Sequence, residues 1–320
     1  MSDGTKDYLD APPTSLGPAA DPAAGLMAGA TPSSLRPPSQ RGLVGDIWRE
    51  VKHRWTFWLG ATLVGLMTLI ALFPALFALG RNPRACDLAF SREGPQAGHP
   101  FGYDIFGCDY YSNVIYGARP SIVVGVVVAF TTMVVGVAFG SLAGYFGGVT
   151  DTLLSRLADI FFAVPFMLGA IVILIALPDR NEVTVALAIA VLSWPVMARL
   201  MRSSVLSVRG QDYVVAAKAL GATTPRLIGR HVLPNAIAPV ITYTTVTIGT
   251  AISLEATLTF LGVGLQLPSI SWGLQISNAQ NYVLSSPHLL LFPGLFLSLT
   301  VLGFLLLGDV LAEALDPKLR

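Results

Sequence analysis

Between Asp212 and Asn235 the chain reads DYVVAAKALGATTPRLIGRHVLPN, a stretch holding Lys218, Arg226, Arg230 and His231. Long apolar runs without charge lie on either side of it. Placing its three Lys and Arg side chains in hydrocarbon would cost roughly 8–10 kcal/mol on insertion scales. The stretch therefore belongs in water, and the runs beside it do not. Composition agrees, since 53% of the 320 residues are hydrophobic and only 12% are charged. Soluble domains carry about twice that charged fraction. The charges bunch, and the runs between the bunches approach the roughly 20 residues that cross a bilayer. This patterning predicts an all-α, polytopic membrane protein. Net charge is +1, and no basic, aromatic-rich patch points to nucleic acid.

Six spans are expected, at Trp55–Leu79, Pro120–Tyr145, Ser155–Leu177, Val183–Met201, Ala236–Leu258 and Leu289–Leu311. Gly262–His288 lacks Asp, Glu, Lys and Arg but contains Pro268 and Trp272-Gly273. It reads as a loop or re-entrant segment, tolerable at membrane depth only when protein or water covers its backbone. With the N-terminus inside, fifteen of the twenty Lys and Arg fall on the cytoplasmic side, which predicts N-in, C-in topology. Residues 1–45, rich in Ala, Pro, Gly and Ser, read as a disordered cytoplasmic tail. No basic start followed by an apolar core marks a secretory leader. Residues 46–320 form the membrane domain, with an outer loop at 81–118 and a cytoplasmic loop at 203–235.

Within the opening stretch, helical chemistry splits the loop in two. One helix is expected from Gln211 to Leu220, with Gly221 in the left-handed position after it. Thr224 is expected to cap a second, Pro225 to occupy its first position, and Pro234 to stop it. Tyr213, Ala216, Ala217 and Leu220 share one face of the first helix, and Leu227, Ile228 and Val232 one face of the second. An ordinary capped loop and a docking element for a cytoplasmic partner both fit that pattern.

AAKALGATTPRLIGRHVLP resembles the loop of ABC importer permeases whose coupling helices dock on ATPase subunits. His99–Ile122, Gly147–Pro165, Leu254–Gly273, Phe292–Leu295 and Leu306–Pro317 are similar, in order, to further blocks of the dipeptide/oligopeptide/nickel class, C-type subunit. The resemblance implies a type I importer fold and alternating access shared with a B-type permease. It also implies two ATPase subunits that bind ATP and Mg, and an extracytoplasmic substrate-binding protein that delivers peptide. Carried onto this sequence, the coupling residues are Asp212, Ala216, Ala217, Gly221, Pro225, Arg226, His231, Leu233 and Pro234. Departures are Val215, where the family usually has Glu, Cys108 and Asn113 in place of Arg, and Leu311-Ala312-Glu313 in place of Leu-Arg-Asp.

Cys86 and Cys108 both fall in the outer loop, where a disulfide and two free thiols are alternatives. His99, Asp104, Cys108 and Asp109 lack the close soft-ligand pair of a metal site. Glu255, near the outer end of the fifth span, either lines the path or bonds the backbone N–H groups of the segment that follows. Asp151, Arg156 and Asp159 are expected to pair locally, and so are Asp309 and Glu313. Gly136, Gly140 and Gly144 form a small-residue stripe for helix packing, within the chain or against a partner. No GxxxxGK[ST] loop occurs, so this chain is not expected to hydrolyse ATP or hold a cofactor of its own. A stand-alone proton-coupled transporter using Glu255 or Asp159 is the rival reading. Nickel or glutathione are rival cargoes within the class.

Overall fold

The computed structural model describes residues 51–315; the tail at 1–45 lies outside them. Among the described residues there is no strand, and ten helical elements carry the fold besides the short turns Pro74–Phe77, Leu88–Phe90 and Gln280–Tyr282. They are α1 (Trp55–Leu72), α2 (Tyr110–Phe146), α3 (Gly148–Ala163), α4 (Phe166–Ala176), α5 (Glu182–Arg209) and α6 (Asp212–Ala219). After these come α7 (Thr224–Ala236), α8 (Ala238–Phe260), α9 (Trp272–Ala279) and α10 (His288–Leu315). Four helices are long and apolar enough to span a bilayer, and six spans result when each bent pair counts as one. Large apolar side chains stay exposed along them, Leu72, Phe130 and Val172 among others. Lipid explains such a surface, and water does not.

The expected third span, Ser155–Leu177, is not one rod. α3 and α4 meet at 86°, because Pro165 pushes Val164 into an extended conformation (φ −85°, ψ 120°). The fifth span likewise begins at a 57° bend between α7 and α8. α2 starts ten residues before the expected Pro120, so the outer loop ends at 109 and not 118. Asp109 sets that start by accepting a bond from the Ser112 amide at 2.9 Å. At 37 residues, α2 is about 55 Å long, well beyond a hydrocarbon core of about 30 Å.

α5 also overruns its expected end at Met201, reaching Arg209, so the following loop opens at Gly210. An Asn181/Thr184 capping box starts it. Its late cations are matched from elsewhere in the chain. Arg202 grips Asp151 through Nη2–Oδ2 at 2.6 Å and a second bond from Nε. Arg199 meets Asp159 at 2.7 Å, and Arg209 donates to the carbonyls of Gly144 and Tyr145. The expected local pairing within α3 is the weaker part, Arg156–Asp159 at 3.8 Å. Glu313 pairs with Arg54, the residue just before α1, and not with its own helix.

The glycine stripe of α2 faces α5. A Cβ at Gly136 would meet Met197, one at Gly140 would meet Ala198, Met201 and Arg202, and one at Gly144 would meet Arg202 and Val205. The two helices therefore approach backbone to backbone, which places the stripe's contact within this chain. At the opposite end from the Asp212–Asn235 loop, residues 81–109 form a lid closed by the Cys86–Cys108 disulfide. Beside it, Arg81 Nη1 and His99 Nδ1 both lie 2.7 Å from Asp109 Oδ2.

The middle of the Gly262–His288 segment, residues 271–273, is buried in protein, whereas residues 266–268 and 283–285 are exposed. Trp272, fully buried, donates to Val114 O at 2.9 Å. Gln275 donates to Asn113 O at 2.8 Å.

Candidate functional site

The loop after α5 folds back onto the bundle through its own apolar face. Val214 of α6 is buried against Leu227 and Val232 of α7 and Met201 and Val205 of α5. Ala217, three residues on, packs partly against the same cluster. Of the four residues expected to share a face, Ala217 turns inward with Val214, three residues before it. Tyr213, Val215, Ala216 and Leu220 remain outside, with Leu220 at 89% exposure. Ile228 is half-buried while Leu227 and Val232 are buried.

α6 closes in a Schellman arrangement. The Gly221 amide donates to Lys218 O at 3.0 Å and the Ala222 amide to Ala217 O at 3.1 Å, with Gly221 at φ +83°. Those two bonds fix the direction in which α7 leaves. α7 is capped one residue earlier than expected. Thr223 is its N-cap, without a side-chain bond, and Thr224 and Pro225 occupy the first two positions. The Leu227 amide bonds Thr223 O at 2.9 Å, which sets the start through backbone alone. Pro225 still lies where a missing N–H costs nothing.

Pro234 does not stop the second helix. Leu227–Val232 widens into a π turn, and helix continues through Leu233–Ala236. A proline ring clashes with the carbonyl four residues before it, and the wider register ahead of Pro234 makes room for the ring. The end is pinned to α5, since Ser204 Oγ donates to Ala236 O at 2.6 Å. Of the sequence-derived residues, Asp212, Ala216, Gly221, Pro225, Arg226 and Pro234 are exposed, while Ala217, His231 and Leu233 are half-buried. Asp212 sits in the first turn of α6, where a carboxylate suits the helix dipole. Missed at the level of sequence were the Val214 anchor, the π turn and the Ser204 tie. The proline inside an otherwise helical run was the one local sign of the second.

Tyr213, Val215 and Leu220 of the loop are each at least 46% exposed. The cations Lys218, Arg226 and Arg230 of the same loop are exposed as well.

Glu255 lies far from this loop and is completely buried. Its carboxylate accepts bonds from three hydroxyls: Thr259 at 2.9 Å, Ser271 at 3.2 Å and Ser121 at 3.3 Å. Backbone N–H groups were the expected partners, and they are reached only through those hydroxyls. Thr259 Oγ1 accepts from the Leu265 amide and Ser271 Oγ from the Leu274 amide. The carboxylate thus ties α2, α8 and the start of α9 together. Glu255→Leu leaves three buried hydroxyls without their acceptor, an expected cost of about 2–3 kcal/mol. A clearly lower melting temperature in detergent should result, and a smaller drop for Glu255→Gln, which keeps one acceptor oxygen. An unchanged melt in the Leu variant would remove the tying role.

Comparison with known proteins places these features. The family model described as binding-protein-dependent transport system inner membrane component matches residues 136–320. The dipeptide transport system permease protein DppC of Alkalihalophilus pseudofirmus is 38% identical over 288 residues, 89% of this chain and 94% of that protein. The oligopeptide transport system permease protein OppC of Bacillus subtilis is 38% identical over 86% of this chain and 91% of its own length. The glutathione transport system permease protein GsiD of Pectobacterium atrosepticum is 35% identical over 85% and 92%. Among solved structures, the MetNI methionine ABC transporter in inward facing conformations matches with a TM-score of 0.52 and 18% identity, covering 64% of this chain and 96% of that one. A multi-pass helical bundle with a structured polar loop, matched over nearly its whole described length, identifies the chain as a member of the binding-protein-dependent transport system inner membrane components, the permease subunits of ABC importers.

Proposed function

We propose that this chain is the C-type permease of a bacterial plasma-membrane importer of short peptides. The observation that carries the reading is the Asp212–Asn235 loop. It is held to the bundle by a buried inner face, yet leaves Tyr213, Val215 and Leu220 and the cations Lys218, Arg226 and Arg230 exposed. Such a surface suits an ATPase subunit, and α6 and α7 are then the coupling helices. Two ATPases hold ATP and Mg, this chain hydrolyses none, and a B-type permease supplies the other half of the path. A substrate-binding protein delivers cargo on the side of the disulfide-closed lid. Peptide is the cargo named in the relatives' descriptions, for dipeptides, oligopeptides and the peptide glutathione.

The full complex in proteoliposomes, given labelled di-, tri- and pentapeptides and, in parallel, a nickel salt, tests this. Uptake of peptides that needs both ATP and the binding protein is the expected result. Uptake of nickel in place of peptides would change the cargo. Uptake by this chain alone, driven by a proton gradient without any ATPase, would overturn the reading.

A further inference from the structure

A cavity of about 680 Å³ opens at the break between α3 and α4. That is the size range of small-molecule sites, about 300–1,000 Å³. Its walls include Thr132 of α2, Ser193 of α5 and Thr247 of α8. Each falls near the middle of its helix, so the cavity lies near mid-membrane. Phe161, Phe162 and Phe166 bring aromatic faces from both sides of the bend. No Asp, Glu, Lys, Arg or His lines it. Arg199, whose guanidinium lies 3.9 Å over the Phe162 ring, is held by Asp159 and stays out of the lining.

The Ser and Thr hydroxyls of this wall are already committed as donors, and Tyr243 adds a further hydroxyl. Thr132 donates to Val128 O, Ser193 to Ile189 O, Thr247 to Tyr243 O and Thr250 to Val246 O and Thr247 O. Back-bonding of this kind satisfies the proton and leaves oxygen lone pairs facing outward. A lipid-facing groove has no use for four such oxygens at mid-depth, because acyl chains offer no donors. A passing peptide offers an N–H at every residue. Resting on the peptide-importer reading above, we propose that this cavity is the chain's cargo-contact wall. It accepts bonds from the peptide backbone, packs aromatic faces on side chains, and is indifferent to cargo charge because it carries none.

The wall is tested at exposed Thr250 in the full complex with its binding protein unchanged. Uptake is compared for trialanine and for the tripeptides with a central lysine or a central aspartate. Thr250→Asp should shift uptake toward the lysine peptide over the aspartate peptide by roughly tenfold relative to wild type, and Thr250→Lys should shift it the other way. Thr250→Asn, uncharged and shaped like Asp, should leave the ratio unchanged. Where the Asp variant fails to insert, Ser193→Asp on the facing wall carries the same expectation. Charge variants that scale all three peptides equally, with wild-type uptake intact, overturn the wall assignment alone. Absence of ATP-driven peptide uptake in wild type overturns the peptide-importer reading and this assignment with it.

Discussion

A valine at Gly221 is expected to lower ATP-driven uptake by at least about tenfold while the chain still inserts and assembles. The cause is conformational and local. Gly221 sits at φ +83°, and a Cβ there would meet nothing within 4 Å. Space is therefore not the obstacle; the left-handed backbone is. A β-branched residue in that region is a genuine outlier, and even an ordinary L-residue costs roughly 1–2 kcal/mol there. The cheaper response is to leave the conformation, which breaks the Ala222–Ala217 bond that sets the exit direction of α7. Leu227 and Val232 would then drift from Val214, and the exposed side chains of the loop would lose their fixed relation to the spans. Bundle packing is untouched, so surface expression and detergent stability should hold. Cargo-stimulated ATPase activity should fall with uptake. Gly221→Asn supplies the contrast, because Asn visits the left-handed region far more readily, and most activity should return. Normal stimulated ATPase activity and uptake in Gly221→Val would end the coupling assignment.

How far the fold could be read in advance depended on whether the deciding interaction was local. Charge-free runs are a local property, and the spans of α1, α2, α8 and α10 fell within a few residues to about ten of their expected limits. The Schellman closure is local too, and Gly221 took the conformation its position called for. The end of α5 was hidden because Arg199, Arg202 and Arg209 look like a bilayer edge in one dimension. Their partners, Asp159, Asp151 and the Gly144 and Tyr145 carbonyls, are 40 to 65 residues away in sequence. Long-range neutralisation leaves no periodic trace. The 86° bend was concealed for a different reason, since hydropathy measures what a segment is made of and not where it points. Val164-Pro165 carried the sign, because a residue before proline avoids the helical region.

The site divides along the same line. The exposure of Asp212, Ala216 and Arg226, proposed above as coupling residues, is observed. The direction of Ala217 does not follow from helical spacing, since an alanine satisfies either face and only the larger Val214 decides which way α6 turns. At Glu255 one of three partners, Thr259, is a helical neighbour, while Ser121 lies 134 residues away. A carboxylate whose partners are scattered hydroxyls reads in sequence like any lone intramembrane acid. That is why a path-lining role and a tying role looked alike before the contacts were known. Val215, the departure from the resemblance noted at the sequence level, is 55% exposed.

The largest loss of stability should come from leucine at Gly140. There a side chain would overlap the Ala198 carbonyl and come within 2.7 Å of Met201 Cβ and 3.0 Å of the Arg202 amide. Backbone atoms cannot step aside as a flexible side chain can, so α2 and α5 must separate along their length. Overpacking of this kind typically costs about 1–3 kcal/mol, and more where backbone is the obstacle. Separation also pulls Arg202 away from Asp151, adding the loss of a bidentate pair, although its partly exposed setting limits that share to about 1 kcal/mol. Gly140→Leu should therefore abolish the folded, monodisperse species seen by size-exclusion chromatography in detergent. Gly140→Ala should be intermediate, since its Cβ meets the same atoms without the remaining side chain. Gly65→Leu on α1, where a Cβ would meet nothing within 4 Å, should behave as wild type. The comparison also separates the two uses of a glycine stripe. A contact made inside this chain fails whether or not the second permease is co-expressed. Gly140→Leu that folds alone and fails only to join its partner would move the stripe to the interface between subunits.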